Sequence, residues 1–415
     1  ICGETGAGVV ANEAFFQRKQ AAAVLKHGIL SRYPRVFATM AGKRTGRVVY
    51  FDGYAGPGRY EDGSPGSPLL AVETARATAQ WDRDVECLFA EKDPAFAADL
   101  RRTLDAEAPP GMKYTVWRGD VAEYVDQAVA IAGDDPMLSF LDPFGTALNY
   151  TSLTGKLLGR TADKPTEVLL NLNLESVWRI GGLLTGDEKE ADSSATLARL
   201  DGFFGDTWWR DEFRRARATG DEASASAAAI VVAQEFQRRV RAATGFDSFG
   251  VPVRRRPGHR PLFLLLLFSR WPMAAWKFNE QVSLANAEWR RACWQEDLDG
   301  LLTDLAADPE DLFGGSYTSD LAREVKESEW ETGQAALEAR WVEGIAENLR
   351  TLLRAHTRVR LGDHLQEVYG ETLGSARDMH VNTAWKRLVA SGEAAPKERN
   401  ASRLEHAWLS RPTVK

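Results

Sequence analysis

Two stretches of the 415-residue chain combine residue types that could do chemistry together. The first is Val48-Val49-Tyr50-Phe51-Asp52-Gly53-Tyr54-Ala55-Gly56-Pro57-Gly58, a β-branched and aromatic run that breaks into an acid and three glycines. It reads as a buried strand ending in a tight turn whose glycines let backbone approach a ligand. The spacing is not G-x-G-x-x-G and no G-K-[ST] follows, which argues against a dinucleotide or a P-loop phosphate. A carboxylate beside such a turn suits a ligand with a cationic amino group and no pyrophosphate, which is the chemistry of S-adenosylmethionine (SAM). The second stretch is Leu141-Asp142-Pro143-Phe144-Gly145. An amino nitrogen conjugated to a ring is a poor nucleophile. Asp142 and a carbonyl near Pro143 can accept its two N–H bonds, pulling it toward sp³ and freeing its lone pair for a sulfonium methyl. Phe144 can stack on the flat base. Ordinary structural turns are the alternative for both stretches.

These motifs need a sheet to hold them. Further strands are expected at 85–90, 113–117, 137–141 and 168–173, with helical patterns between them, which is the layout of a doubly wound parallel sheet. Gly66-Ser67-Pro68 reads as a helix start, with Ser67 as cap and Pro68 at the first position, so the helix N-terminus would face a carboxylate of the ligand. Glu91, at the end of the second strand, is expected to receive ribose hydroxyls. Asp120, after the third, is expected to receive an adenine amino group. Upstream, residues 13–40 have helical periodicity. Lys26 and His27 there read either as a solvated face or as part of a helix folded over the glycine turn.

Residues 181–225 read as an irregular insertion whose Phe203, Phe204, Trp208 and Trp209 are packing aromatics. A helix capped by Ser226 is expected to follow. Strands at 249–253 and 262–269 form a late antiparallel hairpin, and its connection carries Arg254, Arg255 and Arg256, candidates for phosphate contact. From 271 to about 347 the pattern is helical, and 276–346 is expected as a helical bridge. The tail 351–415 holds 11 Lys/Arg against 7 Asp/Glu, a local net of +4, while the whole chain is −7. Its order of helix, short helix, longer helix and polar strand-like end is that of a winged helix over 347–415. The longer helix would present Arg377, His380, Asn382, Lys386 and Arg387 to a nucleic-acid groove or to a protein. The expected organisation is therefore a Rossmann-like domain over 1–275, the bridge, and the winged helix.

A mildly acidic chain is not one that coats nucleic acid indiscriminately. Cys2, Cys87 and Cys293 have neither zinc spacing nor a disulfide framework, so no metal is expected. Free thiols and the lack of a signal peptide point to the cytoplasm. The longest apolar run, 262–268, is too short to span a bilayer.

The Asp142 loop resembles the [DN]-P-P-[FY] loop of methyltransferases acting on exocyclic amino groups, with one proline in place of two. Asp-Pro-Phe-Gly more nearly resembles the loop of tRNA guanine-N2 dimethyltransferases. Taken together, Lys26-His27-x-Ile29-Leu30, the glycine turn, Gly66-Ser67-Pro68, Phe89-x-Glu91-Lys92-Asp93, Gly119-Asp120 and Leu141–Gly145 resemble the three-Cys-motif partner (TcmP) family, as do Phe203–Asp206 and the context of Phe246. The resemblance covers roughly 13–410. It implies a class I methyltransferase-like sheet fused to a C-terminal winged helix, and a partner protein bearing a three-cysteine, radical-enzyme-like motif. The combined expectation is a SAM-dependent N-methyltransferase acting on a nucleobase of DNA or RNA. Gly53, Tyr54, Ala55, Gly56 and Gly58 would shape the cofactor turn, Asp52 would face the amino group of the methionine moiety, and Asp142, Pro143 and Phe144 would hold the acceptor. Two alternatives stay open: a non-catalytic nucleic-acid or partner binder, and methylation of a small nucleoside-like product of the neighbouring radical enzyme.

Overall fold

The computed structural model describes residues 21–143, 148–184, 190–218, 224–306, 315–398 and 403–412. The chain divides into two compact units at 271/272.

The first unit is built on seven strands: β1 (Arg47–Asp52), β2 (Asp84–Glu91), β3 (Tyr114–Arg118), β4 (Met137–Leu141), β5 (Thr166–Asn173), β6 (Asp247–Val253) and β7 (Phe263–Ser269). Their order is β3-β2-β1-β4-β5-β7-β6. The first five are parallel, and β7 runs antiparallel to both β5 and β6. This is the class I methyltransferase sheet, with its late antiparallel hairpin. The central strands are buried on both faces, which is why they read as near-continuous apolar runs. Helices on the two faces start where short polar residues can cap them. Asp93 accepts from the Ala95 and Phe96 amides before α4 (Pro94–Glu107), and Asp120 forms a capping box with Glu123 before α5 (Val121–Ala132). Before these come α1 (Ala21–Leu30), α2 (Tyr33–Ala41) and α3 (Ser67–Ala79).

The expected irregular insertion is instead helical, at Glu190–Phe204 and Trp208–Arg217. Phe203, Phe204, Trp209 and Phe213 are buried, and Phe203 stacks on Phe236 of the long helix Ser224–Thr244. Ser226 lies inside that helix and does not cap it.

Chain order turns at β1. The chain passes from β1 to β2 on one side and later returns to place β4 on the other, which is the point where open α/β sheets bind ligands. The turn after β1 is packed too tightly for a side chain at its first glycine. A Cβ on Gly53 would lie 2.7 Å from Val121 Cγ2 and 2.8 Å from Leu141 Cδ2. Gly53→Ala is expected to cost ~1–3 kcal/mol through overpacking. An unchanged melting temperature would show that the turn has slack.

In the second unit, two long helices (Pro272–Ala306 and Gly315–Ala355) precede β8 (Arg358–Arg360), a short helix (Leu365–Tyr369), a longer one (Asp378–Ala390) and β9 (Trp408–Ser410). β8 and β9 pair antiparallel. Residues 276–346 thus belong to the same unit as the C-terminal elements and do not stand as a separate body. Trp276, Tyr369, Val368, Leu388 and Leu409 are among its buried residues.

Candidate functional site

The carboxyl ends of β1 and β4 are neighbours. Asp52 pairs with Phe140, and the Gly53 amide donates to the Phe140 carbonyl at 3.0 Å. The glycine turn and the Asp142 loop therefore leave the sheet side by side. Gly56 and Gly58 take φ of +68° and +90°, left-handed conformations that disfavour any residue with a Cβ. The turn is tied to β2: Ala55 N donates to the Ala90 carbonyl, and Gly56 N donates to Glu91 Oε2 at 2.7 Å. Tyr54, Ala55, Gly56, Gly58, Ser67 and Asp142 line one cleft of about 30 Å³. That is room for about one water, well below a site that encloses a small molecule, so the glycine turn and the Asp142 loop have to part for a ligand to enter.

Asp52 lies behind the turn and is fully buried. Its Oδ1 accepts from the Tyr54 amide at 3.1 Å, while Oδ2 has no hydrogen-bond partner. Burial pushes its pKa up to about 7. The nearby Ser67 hydroxyl and Tyr54 amide pull the other way, and the Asp142 and Glu91 charges add to the rise. The Ser67 hydroxyl is the side chain that favours the charged form of this carboxyl. An orphaned, buried carboxylate oxygen costs stability unless a donor reaches it. A ligand ammonium fits that need.

Glu91 is half-buried. Its second oxygen accepts from the Asp93 amide at 2.7 Å, and burial raises its pKa. Each oxygen keeps a lone pair for a hydroxyl. Asp120 also stands at the carboxyl edge, where it caps α5 and meets Lys92 at 3.2 Å. Ser67 is the first residue of α3 and Gly66 is its cap, so the expected capping role passes to glycine, while Ser67 faces the cleft. Glu91, Asp120, Gly53 and Asp52 are not part of the cleft wall.

Asp142 is buried and held from two sides. Lys26 Nζ lies 2.5 Å from Oδ2, and Asn171 Nδ2 donates to Oδ1 at 2.6 Å. Pro143 is buried beside it, and Phe144 lies outside the described residues. Neither Asn171 nor the pairing of Lys26 with Asp142 was legible as part of the site. The signal for Asn171 was a polar residue in an apolar strand, one step beyond the Leu141–Leu170 pair. Of the two readings of Lys26 and His27, the second holds. Both are buried, and His27 Nε2 lies 3.0 Å from the Tyr60 hydroxyl. Helix α1 thereby touches both walls, Asp142 through Lys26 and the glycine-turn side through His27.

The connection carrying Arg254, Arg255 and Arg256 lies at this same edge. Asn173, at the carboxyl end of β5, pairs with Phe263, which pairs with Val253. Arg260 of that connection packs over the Trp178 ring at 4.5 Å. In the second unit, Lys386 and Arg387 are exposed on the Asp378–Ala390 helix, with Arg387 3.6 Å from Glu343, and Arg377 is half-buried at its start. His380 is not presented to a groove: it is buried edge-on against Trp341 and accepts from the Arg377 amide. Among the described residues no cluster of three or more His, Cys, Asp or Glu could hold a metal ion, and no helix is long and apolar enough to cross a membrane.

No protein-family model and no curated protein matches the chain. Among solved structures, a small RNA methyltransferase, HEN1, aligns at 12% identity and a TM-score of 0.31, over 58% of this chain and 26% of that one. The SAH-bound methyltransferase PaMTH1 of Podospora anserina aligns at 13% identity and a TM-score of 0.29, over 65% of this chain and 97% of that one. The chain thus spans about a quarter of the first of these proteins.

Proposed function

We propose that this chain is a SAM-dependent N-methyltransferase acting on an exocyclic amino group of a nucleobase in DNA or RNA. The observation that carries the reading is the shared cleft. The glycine turn after β1 and Asp142 after β4 face one another at the point where the strand order reverses. Among the described residues no cation is paired with Asp52 or Glu91 beside the turn, while the charge of Asp142 is answered by Lys26, which leaves a balance that favours a cationic ligand. Tyr54, Ala55, Gly56, Gly58 and Ser67 would hold SAM; Asp52 and Glu91 lie outside the cleft wall, so the turn has to open before the ammonium reaches the first and the ribose the second. Bound SAM would supply a methyl group on a sulfonium. Asp142 accepts an N–H of the acceptor amine, so that as the N–C bond forms and the S–C bond breaks, the positive charge appears beside a carboxylate. The surplus proton then leaves to water or to Asp142.

The second unit is read as carrying a winged helix, from its helix, strand, short helix, longer helix and strand order. With the arginine connection, it would supply the polymer contacts. The resemblance to the TcmP family suggests a partner protein with a three-cysteine motif. One observation favours a rival reading, a non-catalytic binder: the Lys26 ammonium already pairs with Asp142.

Incubation with labelled SAM and total nucleic acid, followed by digestion and mass analysis, separates the two. A single labelled N-methyl nucleoside is expected, and the absence of label with SAM bound would favour the binder. Replacing Arg254, Arg255 and Arg256 with alanine should lower the slope of log affinity against log salt by about 2 for single-stranded nucleic acid. An unchanged slope would remove this connection from the interface.

A further inference from the structure

Between residues 319 and 341 of the Gly315–Ala355 helix no residue is buried. That is about six turns. A helix in water owes most of its stability to an apolar face packed on something else, so this length of exposed helix is not explained by contacts within the chain. Glu327 and Glu331 stand one turn apart with like charge, which destabilises a helix left to itself. The stretch is braced on the Pro272–Ala306 helix. Trp330 and Trp294 have ring centroids 5.3 Å apart, and Arg291 stacks on Trp294 at 3.9 Å while bonding both carboxylate oxygens of Glu327.

Beside that brace the two helices leave a groove of about 370 Å³. Trp294, Leu298, Leu301 and Trp330 give it an apolar lining, and Asp297 and Glu329 border it. Lys326, also on the wall, is paired with Glu329 at 2.8 Å. Gly333 lines it as well, mid-helix, where glycine costs about 0.5–1 kcal/mol relative to alanine. A Cβ there would meet nothing within 4 Å, so no packing inside the chain requires the glycine, and it leaves room for a side chain from outside. Toward the start of the same helix Leu321 and Val325 are 51% and 46% exposed. With Glu329 they fall in one line at intervals of four, so apolar surface continues past the groove.

Charge decides what kind of body fits. Residues 295–306 and 315–332 hold nine acids against two bases, a net of −7, which is the net charge of the whole chain. A second copy would bring the same charge to this surface, and nucleic acid would be repelled by it. A cationic amphipathic helix matches both features, with apolar residues for the groove and lysines or arginines for the acids. We infer that this helical pair is the docking surface for a basic amphipathic helix of a partner protein. The inference stands apart from the methyl-transfer reading, since no residue of the cleft takes part in it.

The test titrates the full chain into a fluorescein-labelled peptide of about eighteen residues, leucines on one helical face and lysines on the other, read by anisotropy. A scrambled peptide of the same composition is the comparison. Saturable one-to-one binding is expected, at least about tenfold tighter for the patterned peptide and weakening as salt rises. Leu321→Ser with Val325→Ser, and separately Gly333→Phe, should each weaken it at least about tenfold without lowering the melting temperature, because all three positions are exposed. Equal affinity for the two peptides would mean charge attraction alone, and no binding, or binding untouched by both variants, would place no such site here. A dimer of the free chain in sedimentation that both variants dissociate would assign the surface to a second copy instead. Any of these results overturns the inference.

Discussion

Replacing Asp142 by Asn should reduce kcat for methyl transfer by about 10²–10³-fold while leaving the dissociation constant of SAM nearly unchanged. Asn keeps an acceptor oxygen but not the charge that answers the cation forming on the amine. It also breaks the ion pair with Lys26, whose side chain is 9% exposed. Stranding one partner of a buried pair costs about 3–5 kcal/mol, so lost activity has to be separated from lost fold. The double variant Lys26→Met with Asp142→Leu makes that separation. It removes both charges, should recover part of the melting temperature, since the buried Asn171 amide still loses its Asp142 partner, and should remain inactive. Transfer at the wild-type rate in Asp142→Asn would exclude this carboxylate from the chemistry.

The second large effect concerns Asp52. Its pKa, pushed up to about 7 by burial, lies well above the 3.8 of an ordinary aspartate. The folded state therefore holds a proton that the unfolded state has lost between about pH 4 and pH 7, and stability falls as pH rises through that window. A ligand ammonium reverses the preference, because it needs the ionised form. SAM binding at about pH 6 should thus release close to one proton, and the affinity should rise by up to about tenfold per pH unit before levelling above neutrality. Asp52→Asn should abolish that pH dependence and weaken binding by one to two orders of magnitude, the scale of a charge-assisted hydrogen bond. Calorimetry in two buffers of different protonation enthalpy reads the proton directly. Zero proton release at pH 6 would place the ligand ammonium elsewhere. The measurement is made on binding and not on melting because Glu167, bonded to Tyr33 and Ser269 and also raised to about 7 by burial, titrates in the same range.

Most of the sheet was legible because its strands are buried on both faces, and burial leaves a residue pattern that needs no tertiary knowledge. β4 was read with its observed bounds, 137–141. The turn after β1 was legible because an acid and three glycines have few other uses at a strand end. Asn171 was not, since a polar residue in Leu169-Leu170-Asn171-Leu172 gains its meaning only from the register that sets it level with Asp142. Lys26 and His27 show a related limit. Periodicity assigns a helix face, but whether that face meets water or a cleft depends on where the helix docks. In the insertion the packing role of Phe203, Phe204 and Trp209 was legible, but its charged, Gly- and Ala-rich composition hid the two helices that carry them. His380 could have been placed from spacing, because it shares a face with Ala384 and Leu388, both buried.

The claim on which the rest stands is that the cleft between the glycine turn and Asp142 binds SAM. Calorimetric titration of the full chain with SAM and with S-adenosylhomocysteine at about pH 8 tests it most directly. Saturable one-to-one binding of both ligands is expected, at micromolar dissociation constants, and it should be weakened in Asp52→Asn. Heats no larger than dilution for both ligands at millimolar concentration would contradict the account.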